Sequence, residues 1–213
     1  MNTDKFSTPT DILNHGLGSQ NRLAELNKLV TERIKSMDHS KLHGMINELL
    51  AIAEEPDINK ITDKEKRLDD LNSSFSDIRI DILKEAELLR ALRMTNDAYI
   101  SRLDEELKEA EEYLKKPVEN ERADSYTGYD TMQKRAQELT LTRSVGLSFS
   151  KQISLSADNL TSLSDRVWNV QMNLIPLLRG RISAETLKIM RDELDTLLKE
   201  QVEKREEGLP VYV

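Results

Sequence analysis

Apolar residues recur at three- and four-residue spacing through most of the chain, and the few glycines and prolines fall where that spacing stops. A 3.6-residue period punctuated in this way predicts helices. Leu23, Leu26, Val30, Ile34 and Met37 form one stripe, which predicts a first helix from about Ser19 to Met37, with Gly16 and Gly18 interrupting anything earlier. Leu42, Met45, Ile46, Leu49 and Leu50 form the inner face of a second helix, from about Ser40 to Glu54, closed by Pro56. Thr62-Asp63-Lys64-Glu65 reads as a capping box, in which the hydroxyl accepts from a free N–H and the carboxylate reaches back to the cap. No glycine or proline follows until Pro117, which allows roughly 80 Å of helix at about 1.5 Å per residue.

Along that stretch one heptad position holds Leu68, Phe75, Ile82, Leu89, Asn96, Leu103 and Ala110, and its partner position holds Leu71, Ile78, Glu85, Leu92, Tyr99, Glu106 and Tyr113. A stripe this long and narrow is a coiled-coil seam, and a polar residue within it, here Asn96, fixes register at some cost in stability. Pro117 to Gly128 reads as a polar connector, and Asp130 as the cap of a second long helix. The inner residues of that helix include Met132, Leu139, Phe149, Ile153, Leu160, Leu163, Val167, Val170 and Leu174. Pro176 should kink or end it near Ile175, because proline lacks the N–H and clashes with the preceding turn. Gly180 follows, and Ser183 would cap a last helix carrying Leu187, Met190, Leu194, Leu197 and Val202, stopped by Gly208 and Pro210.

Residues 62–116 carry 11 basic and 15 acidic side chains, and residues 131–182 carry 7 and 3. The opposite net charges modestly favour pairing of the two long helices, and a short connector makes them antiparallel. The expected architecture is all-α and elongated: a long antiparallel coiled-coil-like helical hairpin over residues 62–182, an N-terminal helical pair over 1–56, and a C-terminal helix and tail over 183–213. Composition agrees. Apolar residues at 38% against 33% charged are lean for a globule but fit helices with narrow stripes, and 4% aromatics with only 7 Gly and 5 Pro disfavour an all-β fold.

The chain has no cysteine, which excludes disulfides, thiolate zinc sites and thiol catalysis. The N-terminal MNTDKFSTPTD lacks the basic and apolar regions of a signal peptide, and no apolar run approaches the ~20 residues needed to span a bilayer, so the cytoplasm is the expected location. A net charge of −8 disfavours nucleic-acid binding, which is driven by neutralising phosphates. His39 and His43 lie one helical turn apart beside Asp38 and could face one metal ion, but two histidines make an incomplete site and read better as polar residues at a helix start. Glu105, Glu109 and Glu112 share a helical face. The Glu111–Lys115 and Glu112–Lys116 spacings mark that face as a solvated surface rather than an acid–base pair. No phosphate loop, nucleophile elbow or zinc-protease signature occurs, so no catalytic, cofactor-binding or metal residues are expected.

The least ordinary stretch runs from Thr140 to Asn173, rich in Ser, Thr, Asn and Gln and sparse in charge. These residues are indifferent helix formers, and a water-facing helix would carry more Glu and Lys. One reading is close helix–helix contact through small side chains. The other is a partner surface or anion site built on Arg135, Arg143, Ser148, Lys151, Gln152, Ser156 and Arg166. The four cations do not share a helical face, which favours helix contact.

Several positions resemble the bacterial toxic-anion (tellurite) resistance protein family. They begin with Gly16, Gln20, Asp38 and Asn47-Glu48-Leu49, and continue through Leu83, Leu89, Asn96, Tyr99 and Leu103. The clearest run is Arg135, Leu139, Leu141, Arg143, Val145, Ile153, Leu163 and Val167, ending in Ile175-Pro176-Leu177. The resemblance touches most of the chain. It implies an association with resistance to tellurite and related stresses, with no enzymatic mechanism and no agreed ligand residues. Reductive detoxification ordinarily uses thiols, flavins or metals, so a chain without cysteine is expected to act by binding. The expected function is a non-enzymatic scaffold or adaptor with a protein partner, leaving peripheral membrane contact and self-association open. The rivals are a coiled-coil structural or membrane-periphery protein unrelated to anions, and an oxyanion-binding protein.

A compact globule of 213 residues has a radius of gyration near about 17 Å by the usual scaling. Small-angle scattering should return a clearly larger value, and a value at the globular figure would rule out the long hairpin.

Overall fold

The computed structural model describes residues 6, 8–37, 40–54, 61–115 and 123–180, and eight positions between 185 and 196. The described elements are α1 (Pro9–Asn14), α2 (Leu17–Ser36), α3 (Ser40–Glu54), α4 (Ile61–Lys115), α5 (Ala123–Asn169), a π-helical turn (Val170–Leu174) and α6 (Ile175–Arg179). Among the described residues there is no strand. No helix among them is long and apolar enough to cross a membrane.

The fold is all-α and rests on α4 and α5 packing against each other as antiparallel helices. The chain sorts into two compact units, Met1–Glu32 with Ala91–Ser154 and Arg33–Arg90 with Leu155–Val213. In the first unit, Ala110 of α4 clusters with Met132 of α5 and Leu103 with Leu139, and the Asn96 Nδ2 donates to the Gly146 carbonyl at 3.0 Å. Partner numbers fall on one helix as they rise on the other, as antiparallel packing requires. α1 and α2 cover this pair, sending Ile12 into the Ala110–Met132 cluster and Leu23 into the Leu103–Leu139 cluster.

In the second unit the same running order appears in polar contacts. Gln171 Nε2 donates to the Asn72 carbonyl and to Ser76 Oγ, both at 2.8 Å, and Arg90 donates to Thr161 Oγ1 at 2.7 Å. α3 buries Leu42, Met45, Ile46, Leu49 and Ile52, and its Glu48 pairs with Arg67 at 3.3 Å.

One of the two heptad rows of the predicted seam is buried throughout. Leu68, Phe75, Ile82, Leu89, Asn96, Leu103 and Ala110 are all buried, while the second heptad position is buried only at Leu71 and half-buried at Ile78, Glu85, Leu92, Tyr99, Glu106 and Tyr113. Burying each large apolar side chain stabilises by about 1.5–3 kcal/mol. Among the described residues, the ion pairs other than those of the buried Arg135 and His15 are exposed or half-exposed and contribute at most about 1 kcal/mol each. The apolar seam, not charge balance, therefore holds the helices together.

Four boundaries differ from the pattern read from the sequence. A short helix, α1, precedes the expected first one. Thr8 caps it with both halves of a capping box, Asp11 N to Thr8 Oγ1 at 3.2 Å and Thr8 N to Asp11 Oδ2 at 2.8 Å, and Pro9 occupies its first turn. α4 begins at Ile61, one residue before Thr62. α5 begins at Ala123, so Asp130 lies inside the helix and pairs with Lys134 at 2.7 Å instead of capping. Pro176 does not end the helical run. The π-helical turn ahead of it changes the hydrogen-bond spacing, and α6 then starts with proline in its first turn, where a missing N–H costs nothing. Gly180 ends α6, its N–H donating to the Leu177 carbonyl at 3.1 Å. Ser183 and the inner residues named for the last helix lie outside the described residues, although residues 185–186, 188–189, 191–193 and 196 are helical.

Asn96 is fully buried, and its Oδ1 has no hydrogen-bond partner. Such an orphan costs about 1–3 kcal/mol of desolvation. Asn96→Leu should therefore raise the unfolding free energy by about 1 kcal/mol in urea titration. A loss of stability would mean that the bond to Gly146 outweighs the orphaned oxygen.

Candidate functional site

Among the described residues, the most densely bonded polar cluster lies in the first unit, where the chain breaks between α1 and α2. The break is set by Gly16, whose φ is +72°. A side chain there is disfavoured twice. The backbone is left-handed, and a Cβ would stand 2.5 Å from Leu139 Cδ2 and 2.8 Å from Glu106 Oε2. Gly18, two residues on, has nothing within 4 Å of a built Cβ and sits inside α2.

The turn aims His15 both ways. Its carbonyl accepts from Arg135 Nε at 2.6 Å, and its ring Nε2 lies 2.6 Å from the Glu106 carbonyl. A carbonyl only accepts, so that nitrogen carries the proton. Nδ1 faces Glu109 Oε2 at 3.8 Å. Ser19 Oγ donates to Glu106 Oε1 at 2.8 Å, and Gln20 Nε2 donates to Thr142 Oγ1 at 2.8 Å.

Arg135 is buried, and all three of its nitrogens are engaged. Besides His15, NH2 donates to Gln20 Oε1 at 2.5 Å and NH1 to Glu138 Oε2 at 2.6 Å. A buried guanidinium is tolerated only when satisfied in this way. Gly16, Gln20, Arg135 and Leu139, separated widely in sequence, thus meet in one junction that ties α1 and α2 to the α4–α5 pair.

The other candidate residues fall elsewhere. Arg143 pairs with Asp104 across α4 and α5. Ser148 and Lys151 are exposed and Gln152 is half-buried in the first unit, while Ser156 and Arg166 are half-buried in the second. The run of small polar residues divides. Ser150 turns inward and donates to Asp97 Oδ1 at 2.5 Å, and Ser164 is fully buried, but Thr140, Ser144, Ser148 and Asn159 face solvent. His43 is half-buried, and His39 lies outside the described residues. Glu105 and Glu112 are exposed, and Glu109 stands beside His15. Among the described residues no group of three or more His, Cys, Asp or Glu could hold a metal ion.

The roles of His15, Ser19 and Thr142 were not legible beforehand. The one available signal was Thr8-Pro9-Thr10-Asp11, a helix start whose helix must end before Gly16. No protein-family model, no curated protein and no solved structure matches the chain.

Two glycine substitutions separate the junction from ordinary helix propensity. Gly16→Ala should destabilise by about 2 kcal/mol or more, through positive φ and the clash with Leu139. Gly18→Ala should stabilise by about 0.5–1 kcal/mol, because alanine is the better helix former. Thermal melts of both variants check the pair, and equal effects would remove the special status of Gly16.

Proposed function

We propose that the chain is a non-enzymatic cytoplasmic adaptor of the toxic-anion resistance type, presenting the outer side of α5 to a protein partner. The observation that supports this is a helix face in water without the usual charges. Leu141, Ser144, Val145, Leu147 and Ser148 are exposed. Over residues 139–152 the charged side chains are Arg143, engaged with Asp104, and Lys151. An exposed face of a soluble helix ordinarily carries a polar, charged surface, and contiguous apolar exposure marks interaction sites. Arg135, Leu139, Leu141, Arg143 and Val145, which carry the clearest part of the family resemblance, run along this same length of α5.

The resemblance supplies the biological setting, resistance to tellurite and related stress. The missing cysteine supports action through binding rather than through thiol-based reduction. Ser144→Glu with Ser148→Glu tests the surface. Both positions are exposed, so the melting temperature should stay within the change expected of about 0.5 kcal/mol. Affinity purification from the native cell should lose the co-purifying proteins that the unaltered chain retains. An unchanged set of co-purifying proteins would overturn the assignment of this face.

A further inference from the structure

Within the unit of Arg33–Arg90 and Leu155–Val213, the arginines are mostly spent on carboxylates. Arg33 pairs with Glu85, Arg67 with Glu48, Arg90 with Asp158, Arg179 with Asp69 and Arg191 with Glu54. Arg79 is different. Its guanidinium carbon lies 4.5 Å over the ring of Trp168, and among the described residues it has no carboxylate or hydrogen-bond partner. Its Nε is sealed from solvent and unpaired.

Stacking on an indole holds the guanidinium in place without using its N–H groups, and a planar fork held this way is preorganised for a carboxylate. Exposed apolar side chains flank the pair in sequence, as does the exposed carboxylate of Asp165, three residues before Trp168. Trp168, the single tryptophan of the chain, is 43% exposed, Ile80 beside Arg79 is 50% exposed, and Met172 one turn beyond Trp168 is 53% exposed. The helices are fixed beneath this patch by Gln171, which donates to the Asn72 carbonyl and to Ser76 Oγ. Tryptophan and arginine are the residues that most often dominate binding energy at protein interfaces.

We propose that Arg79, Trp168, Ile80 and Met172 form a docking point for a partner protein segment in which a Glu or Asp is flanked by aliphatic residues. The carboxylate takes the free guanidinium fork, and the aliphatic groups cover Trp168, Ile80 and Met172. Charge complementarity selects this occupant. On a chain of net charge −8, general electrostatics repel acidic segments, so a fixed and unpaired cation on an apolar bed is a local point of attraction. The proposal rests on the adaptor reading for the existence of a protein partner, but it names a surface separate from the outer face of α5.

The test follows the indole N–H of Trp168 by NMR in the labelled full chain, titrated with acetyl-Leu-Glu-Leu-Leu-amide or its Gln counterpart. The Glu peptide should shift this single resonance saturably, with a dissociation constant on the order of 1 mM. The Gln peptide should bind about fivefold or more weakly, since the charge-assisted fork is lost. Arg79→Gln should abolish the preference for Glu over Gln. Arg79→Lys, which keeps the charge but not the fork, should retain only part of it, and a preference unaltered by Arg79→Lys overturns the bidentate contact. If Arg79→Gln does not fold, the Arg79→Lys variant and the peptide pair on the unaltered chain decide. Equal response to both peptides, no saturable shift, or a preference that survives Arg79→Gln overturns the proposal. An equal saturable shift from sodium sulfate overturns it in favour of a general oxyanion site. Peptide failure here alongside partner loss in the α5 variant would remove this docking point and leave the adaptor reading standing.

Discussion

A 55-residue helix whose apolar residues form one narrow stripe cannot be stable in water by propensity alone. Its stripe must be covered along its length. That requirement governs the rest of the structure. α5 runs antiparallel to α4 and covers one side of the stripe, and α1 and α2 add Ile12 and Leu23 to the clusters at Ala110 and Leu103. The result is that Leu68, Phe75, Ile82, Leu89, Leu103 and Ala110 are removed from water. Since each large apolar residue contributes about 1.5–3 kcal/mol, the seam outweighs the exposed ion pairs that decorate it.

An apolar seam alone would tolerate sliding by a heptad. Polar groups within it remove that freedom, because any other register would leave them buried without partners. Asn96 meets the Gly146 carbonyl, Gln171 meets Asn72 and Ser76, and Arg135 meets His15, Gln20 and Glu138. The satisfaction is incomplete, with Asn96 Oδ1, Glu106 Oε2, Ser164 Oγ and Gln171 Oε1 left unpaired. Stability is thereby given up for a single arrangement.

The same internal contacts decide which surfaces remain for function. Arg135 is engaged in the Gly16 junction and Arg143 pairs with Asp104. What is left over is informative by contrast: an outer stretch of α5 with little charge, and a guanidinium resting on Trp168 without a carboxylate.

The sequence by itself determined the seam. The buried row from Leu68 to Ala110 could be named from the heptad spacing, because helical period is a local property of a chain that alternates apolar and polar residues every three to four positions, while the second row, named the same way, is half-buried beyond Leu71. The second helix, Ser40 to Glu54, was equally legible from its stripe and from Pro56. Boundaries were less so. The start of α5 lies upstream of Asp130 because Gly128 is tolerated inside the helix, where it leaves room for the Tyr113 hydroxyl, 3.1 Å from where a Cβ would stand. Pro176 is expected to kink or end the helix, whereas the run passes through a π-helical turn that buries Val170 and Leu174 and continues into α6, which buries Ile175 and Leu178. Only the tertiary structure decided which polar residues matter. His15 and Arg135 are 120 residues apart, and nothing in their local sequence distinguishes a guanidinium that turns inward from one, like Arg79, that stays unpaired. Partner choice for a charged side chain is settled by what stands opposite it, and that is known only once the helices have taken their register.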